Sequence, residues 1–142
     1  MNAQIRVYFG CALSGATHEY KATMRQLAAM LRLLEKIQLL DFFSHKFDRT
    51  PEKGEIYEID ILEGVEKADV MFAEISSPST GLGFELGRAS MRGIPIYMFM
   101  KKGVKVSNLI TDFAAFYSGA LLIEYESYPD FEEQIRKITS QW

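Results

Sequence analysis

The sequence predicts an α/β fold, a three-layer doubly wound sheet of about five parallel strands, and two observations support this. Short apolar runs typical of buried strands alternate with segments whose apolar residues recur at helical spacing. Strands that alternate with helices pair in parallel through helical crossovers, which place helices on both faces of the sheet. In such sheets ligands bind at the carboxyl ends of the strands, near the reversal of strand order.

Each element is predicted from its own local pattern. The predicted strands cover residues 5–9, 37–43, 69–75, 94–100 and 120–124. The predicted helices cover residues 17–36, 55–68, 84–91, 106–116 and 128–140. Gly10 is expected to end the first strand, and Thr17 is expected to cap the first helix.

The composition limits the classes of function. With 142 residues and 48% hydrophobic content, the chain is predicted to be one domain over residues 1–142. The net charge of −3 argues against a broad nucleic-acid surface. No signal segment is recognised, no apolar run approaches the roughly 20 residues of a membrane span, and the single Cys11 cannot form an internal disulfide. A cytoplasmic protein that does not bind membranes is expected.

The segment of residues 76–89, SSPSTGLGFELGRA, contains the first candidate catalytic residue, Glu85. Gly81 and Gly83 allow a tight turn and a close backbone approach to a ligand. Glu85 is predicted in the first turn of the following helix, where unpaired N–H groups favour a negative charge. The alternative is that Glu85 is only a favourable first-turn residue.

A second carboxylate, Asp60, falls on the apolar side of the helix predicted over residues 55–68. Desolvating an unpaired carboxylate is costly or forces its pKa upward, so Asp60 must be paired, hydrogen-bonded or functional. A structural ion pair with Arg6 or Arg88 is the alternative to a catalytic role.

Tyr8 is predicted near the end of the first strand, where the loops after the first and third strands should converge. Its alternative role is a core residue. The following loop contains Gly10 and Gly15 but lacks both the dinucleotide fingerprint and the Walker ending, so no cofactor is predicted. The isolated His18 and His45 predict no metal site, and Cys11 is interpreted as a bystander.

Tyr8, Asp60 and the run GLGFELG at residues 81–87, taken in that order, resemble the nucleoside 2-deoxyribosyltransferase family. The resemblance covers roughly residues 5–138, through VYFG, YEIDILEGVEKADV and SSPSTGLGFELGRA. It implies a flavodoxin-like fold and cleavage of an N-glycosidic bond. It also implies that Glu85 attacks C1′ of the sugar, that Asp60 assists the leaving base, and that Tyr8 orients Glu85.

These roles agree with the chemistry of the residues. Cleavage of a sugar–base bond builds oxocarbenium character at C1′, which a carboxylate stabilises or captures, while the departing base needs a proton. A helix N-terminus would keep the pKa of Glu85 low, and an apolar surrounding would raise that of Asp60. The glycosyl intermediate then passes to water in a hydrolase or to a second base in a transferase.

The family contains both kinds of enzyme. Ser79 stands where the resembling transferases carry aspartate and the 2′-deoxynucleoside 5′-monophosphate N-hydrolases carry serine, which avoids repulsion of a phosphate. Ser107, in VKVSNLI, matches a hydrolase serine that reaches the phosphate from the neighbouring subunit, which implies a homodimer or a higher homo-oligomer with shared active sites.

The first loop departs from the hydrolase pattern Gly-Ser-x-Arg-Gly-Gly. The chain has CALSGA at residues 11–16, without that serine and arginine, so one phosphate anchor is missing. Backbone N–H groups around Ser14 to Ala16, at the predicted start of the first helix, are expected to substitute in part. The predicted substrate-binding residues are Gly10, Ser14, Gly15, Ser79, Gly81, Gly83 and Ser107.

The favoured function is hydrolysis of (2′-deoxy)nucleoside 5′-monophosphates through a covalent glycosyl-Glu85 intermediate. One alternative is a deoxyribosyltransferase that exchanges bases between deoxynucleosides, and another is a nucleotide-binding module without turnover. The preferred base is not predicted, although residues 43–54 are candidates for lining its pocket.

Overall fold

The computed structural model of the protein describes residues 3–40 and 50–142, and it has strands and helices in alternation. The strands are β1 (Ile5–Cys11), β2 (Ile37–Leu40), β3 (Val70–Glu74), β4 (Ile96–Lys101) and β5 (Ala120–Tyr125). The α-helices are α1 (His18–Arg32), the single turn α2 (Glu55–Tyr57), α3 (Thr80–Arg92), α4 (Asn108–Phe116) and α5 (Tyr128–Ser140). A π-helical turn (Glu58–Leu62) and a 3₁₀ turn (Val65–Lys67) connect α2 to β3.

The five strands form one parallel sheet in the order β2-β1-β3-β4-β5. The strand order reverses between β1 and β3, so the loops after these two strands diverge and leave a crevice at their carboxyl ends. The predicted flavodoxin-like α/β fold is therefore confirmed.

Two glycine-rich boundaries differ from the sequence prediction. Gly10 does not end β1, because it pairs with Ala73 in parallel register and the strand continues to Cys11, opposite Glu74. Helix α3 begins at Thr80 and not at Phe84, because the Ser79 hydroxyl caps it by accepting the Leu82 N–H at 3.1 Å. Gly81 and Gly83 thus lie inside the helix.

The other elements lie close to their predicted positions. Thr17 caps α1 as predicted, with its hydroxyl accepting the Tyr20 N–H at 3.1 Å, but the helix ends at Arg32. The helix predicted over residues 55–68 is instead three short turns of different pitch. The predicted second strand is present over Ile37–Leu40, and its continuation to Phe43 lies outside the described residues.

The core is built on the two central strands. Tyr8 and Phe9 of β1 and Phe72 of β3 are fully buried. Phe72 packs edge-to-face on Phe99 at 5.7 Å between ring centroids, and Phe99 packs in the same way on Phe131 of α5 at 4.6 Å. This packing joins β3, β4 and α5 in one aromatic cluster. No helix in the described ranges 3–40 and 50–142 is long and apolar enough to cross a bilayer.

Glu74, the last residue of β3, is a fully buried carboxylate that the sequence analysis did not single out. One of its oxygens, Oε1, accepts the Ser76 N–H at 2.6 Å and shapes the turn that leads into α3. Burial raises the pKa of Glu74 above its usual value of 4.5, and the hydrogen bonds from Ser76 only partly oppose this.

The replacement Glu74→Gln should stabilise the fold at neutral pH. Because the folded-state pKa is raised, the contribution of Glu74 is fully favourable below about pH 4.5 and is lost as the pH rises through the folded-state pKa. Glutamine keeps an oxygen acceptor for Ser76 without the buried charge. Chemical unfolding from pH 4 to 8 should show a gain over the wild type that grows with pH. A gain that is constant with pH, or a loss at pH 7, would contradict this, and the exposed Glu133→Gln is the matched control.

Candidate active site

Three predicted catalytic residues, Tyr8, Asp60 and Glu85, come together beneath the crevice between β1 and β3. Their exposed fractions are 0%, 4% and 8%, so all three are buried. The Tyr8 hydroxyl oxygen and Asp60 Oδ1 are closed off from solvent. Burial raises the pKa of Tyr8 well above its usual value of 10, and the negative charges of Glu85 and Asp60 raise it further. Both carboxylates therefore raise the pKa of the same phenol, and the phenol keeps its proton at neutral pH.

The Glu85 carboxylate lies directly over the backbone of Gly10. A methyl group added to Gly10 would lie 3.0 Å from Glu85 Oε2, 2.8 Å from Leu82 Cδ1 and 3.0 Å from Met71 Cε. Any larger residue at position 10 would displace the carboxylate or the side chains beside it. Gly10 was predicted as a loop residue near the ligand, but its place is within β1, where the lack of a side chain makes room for Glu85.

The prediction that Glu85 lies in the first turn of its helix is wrong. Because α3 begins at Thr80, Glu85 is its sixth residue and lies in the second helical turn. The field of a helix terminus falls off within the first turn, so it cannot be the main influence on this carboxylate. The polar neighbour of Glu85 is instead the Tyr8 phenol. Because the pKa of Tyr8 is raised, the phenol keeps an O–H that can donate to the carboxylate.

Asp60 lies in the π-helical turn of residues 58–62, where the Glu63 N–H donates to the Glu58 carbonyl at 2.9 Å. Such turns insert one extra residue into a helix and occur frequently at functional sites. Both Asp60 and Ile61 are buried in this turn. The prediction from helical spacing placed Asp60 correctly on the buried side but did not predict the change of pitch.

Gly64, which the sequence analysis did not identify, packs against the ring of Tyr8. A methyl group at Gly64 would lie 2.8 Å from Tyr8 Cε2 and 2.3 Å from the Asp60 carbonyl oxygen. Only glycine allows the segment that carries Asp60 to approach Tyr8 this closely. The sequence signal that could have indicated this contact is the glycine four residues after Asp60.

Arg6 and Arg88, which were the alternative partners of Asp60, each form a salt bridge with another carboxylate. Arg6 forms a salt bridge with Asp69, in which Arg6 Nη2 lies 2.8 Å from Asp69 Oδ1. Arg88 forms a salt bridge with Glu66. The two guanidinium groups thus bind carboxylates at the protein surface.

A separate cleft of about 290 Å³ opens between the N-termini of α3 and α4, and we refer to it as the α3–α4 cleft. It is lined by the loops after β3 and β4 and by one face of α3, which contributes Leu82, Gly83 and Leu86. Its polar lining residues are Ser76, Ser77, Ser79, Thr80, Lys105 and Ser107. Ser79 and Ser107 thus lie in the same cleft within one chain, together with Lys105, which the sequence analysis did not identify.

The hydroxyl groups of Ser79 and Ser107 in the α3–α4 cleft can each donate a hydrogen bond to an anion. Ser79 Oγ accepts the Leu82 N–H as the cap of α3, which leaves its O–H proton to donate elsewhere. Ser107 is the residue before α4, and its side chain makes no capping hydrogen bond. Leu82 separates the cleft from Glu85, since it lines the cleft and also packs over Gly10.

The remaining predicted binding residues lie elsewhere. Ser14 and Gly15 form an exposed turn, with a left-handed φ of 77° at Gly15, and neither lines the α3–α4 cleft. Because α1 begins at His18, the N–H groups of residues 14–16 are not those of its first turn, contrary to the prediction. Gly81 is exposed in the first turn of α3.

Some predictions fall on residues outside the described ranges. These are His45 and most of the segment 43–54 that was considered for the base pocket. Among residues 3–40 and 50–142, no group of three or more His, Cys, Asp or Glu side chains is arranged to hold a metal ion. Cys11 is buried at the end of β1.

Comparison with known proteins assigns the chain to a family. The family model for nucleoside 2-deoxyribosyltransferase matches residues 7–129. A Methanosarcina mazei protein named "Putative 2'-deoxynucleoside 5'-phosphate N-hydrolase 1" is 40% identical over 78 residues, which are 55% of this chain and 45% of that protein. A Thermofilum pendens protein of the same name is 27% identical over 96% of this chain and 94% of its own length. The matched part of this chain thus spans less than half of the first relative and nearly all of the second.

Solved structures share the fold. The CMP N-glycosidase BcmB of Clostridium botulinum superposes with a TM-score of 0.68 at 17% identity, over 92% of this chain and 98% of that one. A 2-deoxyribosyltransferase of Bacillus psychrosaccharolyticus superposes with a TM-score of 0.62 at 19% identity, over 89% and 90%. With a family model that matches most of its length, the chain belongs to the nucleoside 2-deoxyribosyltransferase family of enzymes.

Proposed function

We propose that the protein hydrolyses the base–sugar bond of 2′-deoxynucleoside 5′-monophosphates, releasing the free base and deoxyribose 5-phosphate. The observation that carries the proposal is the burial of Glu85 and Asp60 around the Tyr8 phenol. The side chain of Leu82 separates Glu85 from a cleft that is lined by hydroxyl groups and a lysine. The names of the relatives from M. mazei and T. pendens support a monophosphate substrate.

In the first step, a Glu85 oxygen attacks C1′ and the C1′–N bond to the base breaks. The electron pair of that bond goes to the base, and protonated Asp60 donates its proton to the departing base. Tyr8 donates its O–H to the Glu85 carboxylate and holds it in the attacking orientation. Two carboxylates in different roles are what a retaining glycosidase requires.

In the second step, a water molecule attacks C1′ of the glycosyl-Glu85 ester. Asp60, now ionised, accepts the proton of that water, and the C1′–Oε bond breaks to restore the Glu85 carboxylate. The reaction therefore returns both carboxylates to their initial states without any further reactant.

The spacing along α3 suits a sugar phosphate. Ser79 and Glu85 are separated by six residues, which corresponds to about 9 Å at 1.5 Å per residue. We propose that C1′ lies at Glu85 and that the 5′-phosphate extends past Leu82 into the α3–α4 cleft, where Ser79 and Ser107 donate hydrogen bonds. Gly83 lines the cleft and adds no side chain that would obstruct the phosphate.

Base exchange by a transferase is the second candidate function, and it uses the same first step. The choice depends on whether water or a second base reaches C1′. Ser79 favours the hydrolase, because an aspartate here would repel a phosphate. A binding module without turnover would also use the cleft, but it would leave the nucleotide intact during long incubation.

We further propose that the protein acts as a cytoplasmic homodimer or higher homo-oligomer. Helix α4, NLITDFAAF, is strongly apolar, yet none of its residues is buried, with Leu109 76% and Phe116 91% exposed. Exposed apolar residues of this kind are typical of subunit interfaces. A second copy packed on α4 would lie beside Ser107, which precedes the helix and lines the α3–α4 cleft, and neighbouring subunits would share the active site in this way.

The replacement Glu85→Gln should abolish base release. Glutamine has nearly the same size but is a far poorer nucleophile, so a loss of at least about 10³-fold in kcat is expected. Chromatography should detect free base from wild-type protein incubated with the four deoxynucleoside 5′-monophosphates, and none from the variant. Base release by Glu85→Gln at a similar rate would rule out this mechanism. Product formed only with an added second base would indicate the transferase.

The replacement Asp60→Asn should slow base release and flatten its dependence on pH. Asparagine cannot supply a proton to the leaving base, so a loss of about 10²- to 10⁴-fold in kcat is expected. A base that leaves easily without protonation should be affected least. Rate measurements over pH 4 to 9 with two bases of different leaving ability provide the check, and an unchanged rate would assign Asp60 to structure.

The replacement Gly10→Ala should reduce kcat even though no reactive group is changed. The added methyl would lie 2.8 Å from Leu82 Cδ1 and 3.0 Å from Glu85 Oε2, so these side chains must shift, and the rate falls roughly 10²-fold if the displacement of the carboxylate approaches about 1 Å. Gly87→Ala is the matched control, because it lies on the same helix as Glu85 and has nothing within 4 Å of the added methyl. Equal activity of both variants would show that the contact at Gly10 does not position Glu85.

A further inference from the structure

The α3–α4 cleft has a positive end, and this comes from three separate features. The N-termini of α3 and α4 both border it, through Ser79 and Ser107. Lys105 adds a full positive charge. Among the described residues that line the cleft none is acidic, although the protein as a whole carries a net charge of −3. The charge of the cleft is therefore positive while the net charge of the protein is negative, and the cleft favours an anion.

Lys105 is directed to the cleft by the loop between β4 and α4. Gly103 adopts a left-handed φ of 83°, and the Val104 N–H donates to the Lys101 carbonyl at 3.2 Å. This turn reverses the chain, so that residues 105–107 line the cleft. Lys105 also differs from Lys67, Lys102 and Lys137, which pair with glutamates, because it forms no ion pair with any residue in the described ranges.

We propose that Lys105 is the cation that binds the 5′-phosphate and makes the enzyme selective for monophosphates over nucleosides. This inference rests on the proposed function. The loop CALSGA after β1 contains neither arginine nor lysine, and its Ser14–Gly15 turn does not reach the cleft. The positive charge for the phosphate is thus supplied by the loop after β4.

The contacts in the cleft complement a phosphate group. Ser79 and Ser107 each have an O–H to donate, and a lysine ammonium adds a compact charge with three donors. The phosphate also needs this charge for a second reason. It would bind near Ser79, whose position is about 9 Å from that of Glu85 along the axis of α3, so the phosphate and the carboxylate repel each other. A nucleoside without phosphate gains nothing from Lys105.

The test compares binding of three ligands to the Glu85→Gln protein, which should not consume them: a deoxynucleoside 5′-monophosphate, the matching nucleoside and inorganic phosphate. Adding Lys105→Ala should weaken monophosphate binding by roughly 10-fold or more, as expected for a charged hydrogen bond, and leave nucleoside binding unchanged. Lys105→Arg should retain most of the affinity. Lys102→Ala, which removes an exposed lysine paired with Glu126, is the control and should have no effect.

The inorganic phosphate arm distinguishes a phosphate site from one that recognises the whole nucleotide. Phosphate should compete with the monophosphate, and Lys105→Ala should weaken phosphate binding by a similar factor. The proposal is overturned if monophosphate affinity is the same with and without Lys105, or if the protein binds monophosphate and nucleoside equally. Failure of the proposed hydrolysis would look different, because phosphate binding would still depend on Lys105 while no base is released by the wild type.

Discussion

The buried contact of the Glu85 carboxylate with Gly10 and Tyr8 is the constraint around which the site is arranged. Strand β1 must present a residue without a side chain where α3 crosses it, because the carboxylate occupies that volume. Two positions earlier on the same strand, Tyr8 must keep its proton, and burial beside two carboxylates ensures this. The parallel pairing of β1 with β3 holds the strand and the helix in this relation.

The segment that carries Asp60 depends on the same phenol. The π-helical turn directs Asp60 inward, and Gly64 lets the following turn close on the face of the Tyr8 ring. The proposed catalytic group comes from β1, the π-helical turn and α3, and the strand order reverses beside β1.

Much of this could be predicted from the sequence, since the alternation of apolar runs and helical periodicity determines the parallel sheet. The family motifs also indicated Tyr8, Asp60 and Glu85. The role of Gly10 could not be predicted, because a glycine at a strand end predicts a turn unless the helix that crosses it is known. The start of α3 was predicted four residues late because two glycines lower helix propensity, and the Ser79 cap outweighs them. Lys105 was missed because its loop reaches the cleft only through tertiary structure.

The central claim is that Glu85 forms a covalent bond to C1′, and the stereochemistry of the reaction tests it most directly. Methanol added to the reaction competes with water for the sugar and gives a methyl glycoside whose anomeric configuration is stable and can be assigned by NMR. Two successive displacements predict that the methyl glycoside retains the β configuration of the nucleotide. A product of the α configuration would mean that the acceptor attacks C1′ directly and that Glu85 is not the nucleophile.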